Sequence, residues 1–153
     1  MPRERPGPFT GAMTTPVTRN NGAQRLDDFV ALLKEEGRHA VLGLDCGTGA
    51  EGLAFVRAGL HFTGVDASEE NIHAARAHGL SASVATAAAL PFADAAFPAV
   101  WAPDALAGLD AEAADKAVRE LRRVAVPWAP IAVVLPQGGP DAGPGPGFTV
   151  LRA

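Results

Sequence analysis

Short apolar runs alternate with amphipathic segments along the chain. Apolar residues recur at helical spacing over Gln24–Glu36, and the apolar run Ala40–Leu44 between polar punctuation is typical of a buried strand. The same reasoning predicts helices over Ala50–Ala58, from an N-cap at Ser68 through Ala77 and over Asp110–Val124, and strands over His61–Val65, Ser81–Ala85, Ala99–Ala102, Ile131–Leu135 and Phe148–Arg152.

This order of elements predicts the architecture. Strands that alternate with helices form a parallel sheet with right-handed crossovers and helices on both faces. We therefore expect a doubly wound α/β fold: a mostly parallel, Rossmann-like sheet of five to six strands in a three-layer αβα sandwich. Residues 1–22 lack a periodic apolar pattern, and we therefore expect them to form a flexible tail. We expect residues 23–153 to form a single domain. Met13 is an alternative start to Met1.

Composition excludes several classes of protein. The 153 residues carry 13 Lys and Arg against 17 Asp and Glu, a net charge of −4, which argues against a nucleic-acid or anionic-membrane binder. The single cysteine, Cys46, excludes an internal disulfide and a CxxC metal site, and we expect no metal. The N-terminus has no signal-peptide h-region, and no apolar stretch is long enough for a membrane span. These features predict a cytoplasmic protein.

A glycine turn after the first predicted strand is the most informative stretch. Gly47 permits a tight turn, Gly49 permits close approach of a ligand, and the following helix start presents free N–H groups. Asp66 ends the next predicted strand, where a carboxylate can accept the ribose hydroxyls of a nucleoside. Ordinary βα turns would look similar. Gly52 completes G-x-G-x-x-G, so an NAD-type dinucleotide site stays open.

A longer series of landmarks resembles the class I S-adenosylmethionine-dependent methyltransferases that act on small molecules. The landmarks occur in that family's order and span roughly residues 38–135. They are Leu44-Asp-Cys-Gly-Thr-Gly49, Thr63-Gly-Val-Asp-Ala-Ser68, Ala89-Leu-Pro-Phe92, Phe97-x-x-Val-Trp101 and Leu121-Arg-Arg-Val124 leading to Pro127.

The resemblance implies S-adenosylmethionine as cofactor and methyl transfer to an unidentified small molecule. The glycine loop would wrap the methionine part, Asp66 would hold the ribose, and Ala67 and the segment after the third strand would flank the adenine. The segment Ala102–Leu106 would face the substrate, with Asp104 as candidate base; a solvated loop acid or an N-cap is its simpler interpretation. The implied cofactor-binding residues are Asp45, Cys46, Gly47, Thr48, Gly49, Asp66, Ala67, Thr86 and Ala87.

Several positions depart from the family's pattern. Gly43 stands where the family has an acid and Asp45 where it has a glycine; residues two apart share a strand face, so the acid could still point the same way. Thr86 replaces an adenine-facing acid and Pro98 an aspartate. Pro127-Trp-Ala replaces Pro-Gly-Gly, so we expect a tight turn to be lost there. The family's final hairpin is missing or reduced to residues 148–152.

These departures keep two alternatives open. One is a degenerate, non-catalytic nucleoside-binding or interaction module of the same fold, and the other is the NAD-type binder. Both tryptophans, Trp101 and Trp128, are expected to be packing residues, and Cys46 a small loop residue. A second copy of the chain is one candidate cover for the open sheet edge at the C-terminal side, which would make a homodimer.

Overall fold

Helices and strands alternate along residues 21–135 and 148–153, the part of the chain that this computed structural model describes. Every predicted element is present, with bounds shifted by a few residues at most. The predicted tail lies outside the described residues except at its end, where the first helix begins at Asn21 rather than Gln24. The helices are α1 (Asn21–Glu35), α2 (Ala50–Arg57), α3 (Glu69–Ala77) and α4 (Ala111–Val124), and the strands are β1 (Ala40–Leu44), β2 (His61–Asp66), β3 (Ser81–Val84), β4 (Val100–Trp101), β5 (Pro130–Val133) and β6 (Thr149–Arg152).

The six strands form one sheet in the order β3-β2-β1-β4-β5-β6. The pairs among β1 to β5 are parallel, and β6 runs antiparallel to β5. The chain moves outward from β1 to β3 and then returns to place β4 on the other side of β1. The doubly wound, mostly parallel fold is confirmed, and its switch of direction lies between β1 and β4, where sheets of this kind bind ligands.

Successive side chains of β1 lie on opposite faces of the sheet, and each face carries its own part of the core. Val41 belongs to the cluster under α1, α2 and α3, whereas Leu42 and Leu44 belong to the cluster under α4. All three side chains are buried, as expected for a parallel strand that is covered on both faces. The predicted three-layer sandwich is therefore confirmed.

Side-chain caps fix the start of two helices. The Ser68 hydroxyl accepts a hydrogen bond from Asn71 N at 3.1 Å, which confirms the predicted N-cap of α3. The Asp110 carboxylate accepts from Ala113 N at 2.8 Å, so Asp110 caps α4 rather than forming its first turn. Both caps satisfy N–H groups that a helix start leaves without a partner.

The long connection between β3 and β4 contains no helix and is held by the end of α4. Arg123 donates from Nη2 to Leu90 O at 3.0 Å and from Nη1 to Phe92 O at 2.9 Å. Glu120 Oε2 accepts from Leu90 N at 2.6 Å. These bonds join two of the sequence landmarks, because the Leu-Pro-Phe segment lies on the Leu-Arg-Arg-Val helix.

The two tryptophans differ in their exposure to solvent. Trp101 is 1% exposed, with its ring 5.1 Å from that of Phe29 and 5.8 Å from that of Phe55, so its predicted packing role is confirmed. The same prediction is wrong for Trp128, which is 67% exposed. Its ring centroid lies 5.6 Å from Cζ of the Arg152 guanidinium. Trp128 lies in a connection before β5, where no core faces its ring.

The expected loss of the tight turn before β5 is also wrong. Ala129 N donates to Val126 O at 3.0 Å across Pro127 and Trp128, and Trp128 has φ 69°. A proline followed by a residue of positive φ is the arrangement of a type II turn, in which glycine usually takes the second place.

Within the described ranges, no helix is long and apolar enough to cross a membrane.

Candidate functional site

The predicted site residues meet at the carboxyl edge of the sheet, beside the switch of direction. β1 pairs with β2 so that Leu44 is opposite Val65, and with β4 so that Gly43 is opposite Trp101. The loops that follow these three strands therefore lie side by side. Asp45 begins the first of these loops.

The glycine loop is anchored to the end of β2. Cys46 N donates to Val65 O at 3.0 Å, and Gly47 N donates to Asp66 Oδ2 at 2.9 Å. Gly49 has φ 111° and N-caps α2 without a side-chain hydrogen bond. This φ strains any residue with a side chain, and a Cβ at Gly49 would also displace the tip of Leu80, whose Cδ1 would lie 2.7 Å away, so the fold favours glycine there.

Asp66 is the residue that joins the loop to α3. Its Oδ1 accepts from Ser68 N at 2.9 Å and from the Asn71 side chain at 3.3 Å. Partial burial acts to raise the pKa of Asp66, but the donors from Ser68, Gly47 and Asn71 outweigh it and lower that pKa. A carboxylate has about four acceptor positions, so one is left for a ligand hydroxyl beside Gly47.

The exchange of Gly43 and Asp45 has a packing reason. A Cβ at Gly43 would lie 2.5 Å from Cε1 of Phe62 on the neighbouring strand β2. The ring of Phe62 therefore occupies the space that the family's acid would need. Asp45 is exposed and has φ 55°, outside the extended region. The shared strand face on which its expected direction rests is therefore absent, because Asp45 lies beyond the end of β1 in a left-handed conformation.

Three carboxylates border this edge of the sheet. Partial burial raises the pKa of Asp45, and the negative charges of Asp66 and Asp104 raise it further. The loops 45–51, 66–70, 85–90 and 102–112 contain no Lys or Arg to offset them. The edge therefore favours a positively charged ligand.

Cys46 lies in the loop as a buried, neutral side chain. Burial raises the pKa of its thiol to about 11, and the charge of Asp66 contributes to the increase. The thiol is therefore protonated at neutral pH and is a poor nucleophile. This agrees with the expected role of Cys46 as a small loop residue.

The other predicted residues are accessible from solvent. Thr48, Ala67 and Thr86 are exposed, and Ala87 is partly buried. The Thr86 hydroxyl accepts from Ala88 N at 3.3 Å, and so helps to shape the turn after β3. Their contact with an adenine stays a prediction.

Asp104 is an exposed residue after β4, and its carbonyl oxygen accepts from Ala107 N at 3.2 Å in a turn. The structure thus favours the solvated loop acid over the N-cap among its simpler interpretations. Across residues 21–135 and 148–153, no group of three or more His, Cys, Asp or Glu is placed to hold a metal ion.

Glu51 is a residue of this region that the sequence analysis missed. It lies in the first turn of α2, and its Oε1 accepts a hydrogen bond from Trp101 Nε1 at 3.0 Å. An acid in a first helical turn is common because of the helix dipole, so the sequence gives no signal for this longer-range contact.

The chain is similar to a known protein family and to several solved structures. The family described as "Methyltransferase domain" matches residues 41–128. The chain is similar to the solved structure of YcgJ from Bacillus subtilis, at 25% identity and TM-score 0.63, over 72% of this chain and 50% of that one. It also matches a SAM-dependent methyltransferase from Methanosarcina mazei, at 23% identity and TM-score 0.59, over 63% of this chain and 51% of that one.

A third similar structure is described by a different reaction. The [4+2]-cyclase SpnF matches at 32% identity and TM-score 0.57, over 72% of this chain and 44% of that one. One fold can thus serve different chemistries. The chain spans about half the length of the solved structures that it matches.

Proposed function

We propose that this chain, which belongs to the methyltransferase-domain family, binds S-adenosylmethionine at its glycine loop and transfers the methyl group to a small-molecule acceptor. The hydrogen bond from Gly47 N to Asp66 Oδ2 carries the proposal, because it places the ribose-type acid directly beside the glycine loop. Gly47 follows β1, at the switch of direction, and Asp66 ends the neighbouring β2 at the same carboxyl edge, where nucleosides bind to this class of fold.

The charge at the carboxyl edge supports this cofactor over a dinucleotide. The charges of Asp66 and Asp104 act on Asp45 there, and the adjoining loops contain no Lys or Arg. A sulfonium carries a positive charge and is attracted to these carboxylates, whereas the diphosphate of NAD is repelled. The exchange of Gly43 and Asp45 retains a carboxylate at this edge.

Each part of the site then has a role that matches its chemistry. When bound, S-adenosylmethionine supplies a methyl group on a positively charged sulfur, which is already a good leaving group. The loop Cys46–Gly49 surrounds the methionine part, and Asp66 accepts from a ribose hydroxyl. The segment Ala102–Leu106 orients the acceptor, and Asp104 takes a proton where the acceptor must lose one.

Calorimetric titration with S-adenosylmethionine and, separately, with NAD tests this proposal. We expect micromolar binding of S-adenosylmethionine and a clear preference over NAD. A preference for NAD would identify the dinucleotide binder instead. If neither ligand bound, the chain would be an interaction module that has kept the fold without the nucleoside site.

A further inference from the structure

Glu51 makes a contact that none of the sequence landmarks contains. Its carboxylate accepts the indole N–H of Trp101, and Trp101 is almost fully buried at the end of β4. Because Trp101 is opposite Gly43 of β1, the bond reaches from the first turn of α2 across β1 to the strand on its other side.

The indole of Trp101 is held firmly in place. Three aromatic rings surround it: Phe29 lies 5.1 Å away, Phe55 5.8 Å and Phe148 5.7 Å, measured between ring centroids. Phe55 and Glu51 are one helical turn apart on α2, so the helix contacts the same indole at two points. The buried indole of Trp101 therefore restrains the orientation of α2.

The start of α2 has no side-chain cap. Gly49 precedes it with φ 111°, and the Asp66 carboxylate holds the loop two residues earlier, through Gly47 N. The N–H groups of this first turn are the ones that the glycine loop presents to a ligand. Glu51 lies in this same turn, and its side chain accepts the hydrogen bond of Trp101.

We propose that Glu51 is a positioning residue of the cofactor site. By accepting the hydrogen bond of Trp101, it fixes the first turn of α2 and, through that turn, the glycine loop. Glu51 acts through Trp101 and the loop backbone rather than by touching the cofactor. The inference rests on the proposed binding of S-adenosylmethionine.

Two substitutions at one position separate the hydrogen bond from the charge. Glu51→Gln keeps an oxygen that can accept from the indole, whereas Glu51→Ala removes it. We expect Glu51→Ala to weaken S-adenosylmethionine binding by about tenfold and Glu51→Gln by less than about threefold, measured by calorimetry. Asp27→Ala is the control, since it removes an exposed acid from α1, outside the loops at the carboxyl edge, and it should bind as the unsubstituted protein does.

A second readout reports the contact without a ligand. The indole N–H of Trp101 should exchange slowly with solvent in the unsubstituted protein and in Glu51→Gln, and faster in Glu51→Ala, with melting temperature and circular dichroism confirming that each variant is folded. Equal affinity of Glu51→Ala and the unsubstituted protein would overturn the proposal, as would equal losses for Gln and Ala. Failure of the unsubstituted protein to bind S-adenosylmethionine, with slow indole exchange intact, would contradict the proposed function instead.

Discussion

Asp66 holds two neighbouring segments with one carboxylate. One oxygen fixes the glycine loop through Gly47, and the other fixes the start of α3 through Ser68 and Asn71. Its side chain is thus fixed beside the glycine loop by the protein's own hydrogen bonds. Binding then costs little reorganisation of this side chain.

Asp66→Ala is expected to weaken S-adenosylmethionine binding by roughly 1.5–3 kcal/mol, because it removes a charged acceptor and releases the loop. Calorimetry measures the change. Asp27→Asn, on the exposed side of α1, is the control that removes a carboxylate charge elsewhere. Unchanged affinity of Asp66→Ala would remove this residue from the site.

Asp45→Asn separates stability from binding. The raised pKa of Asp45 means that its charged form is disfavoured in the folded protein, so Asp45 costs stability above that pKa and the cost disappears as the pH falls below it. We expect the variant to be more stable at pH 7, by about 0.5 kcal/mol given solvent screening, and to bind S-adenosylmethionine several-fold more weakly. Urea unfolding and calorimetry check the two effects, and a tighter-binding Asp45→Asn would contradict a cofactor role.

Gly43→Ala tests whether Phe62 excludes a side chain from β1. The backbone of Gly43 is not in the left-handed region, so alanine would be tolerated in open space. The ring of Phe62 lies 2.5 Å from the added Cβ, and we expect destabilisation of about 1–3 kcal/mol. In a Phe62→Leu background, the same change should cost clearly less, as a double-mutant cycle of urea unfolding would show. Additive effects would mean that another contact is responsible.

Among the elements, β6 is joined to the end of α1 by a two-pronged ion pair. Arg152 donates from Nη1 and Nη2 to the two carboxylate oxygens of Glu36, at 2.9 and 2.6 Å. Arg38 also donates to Glu36, at 2.8 Å. Both members of the pair are about one quarter exposed, so the pair is shielded from water only in part.

The Glu36 pair predicts acid sensitivity. The hydrogen bond from Arg152 lowers the pKa of Glu36 from 4.5 to about 2, against an opposing effect of burial and with help from Arg38. Its stabilisation is therefore present above pH 4.5 and is lost as the pH falls toward 2. Glu36→Gln should lose about 1–2 kcal/mol at pH 7 and much less at pH 2, in urea unfolding at both values. Asp115→Asn, from an exposed pair on α4, should change little; an equal loss there would contradict this assignment.

The elements were predictable from the sequence because their signals are local. Apolar spacing located α1 and β1, and Ser68 marked the start of α3, where the structure has its capping bond. One failure is local: the turn at Trp128 forms although a tryptophan stands where glycine is usual. The other failures concern contacts between distant residues: the ring of Phe62 above Gly43 and the bond from Trp101 to Glu51. A pattern of residue types carries no signal for which side chains meet across the sheet.

For the whole molecule, β6 closes the sheet beside a fully buried strand. All four residues of β5 are buried, and β6 pairs along it from Pro130 opposite Arg152 to Val133 opposite Thr149. Removal of residues 148–153 would expose an apolar strand with unpaired backbone groups. We expect this truncated chain to self-associate and to lose its cooperative thermal transition, as seen by size-exclusion chromatography and circular dichroism.

Phe148→Leu provides the graded comparison for that truncation. It keeps the backbone pairing of β6 and removes ring contacts to Phe29 and Trp101. The melting temperature should fall, by the equivalent of about 1 kcal/mol, while the chain stays in its native association state. A truncated chain that melted as cooperatively as Phe148→Leu would show that β6 is dispensable.

The strand order also sets a sequence of events during synthesis. Leu42 pairs with Thr63 on one side and with Val100 on the other, so a nascent chain that has released β1 to β3 already carries the glycine loop and Asp66 but lacks the opposite wall. That wall arrives only when β4 docks, a contact between segments far apart in the chain and correspondingly slow to form. A ligand that contacts both the glycine loop and the segment after β4 would then stabilise only chains that have completed this late step.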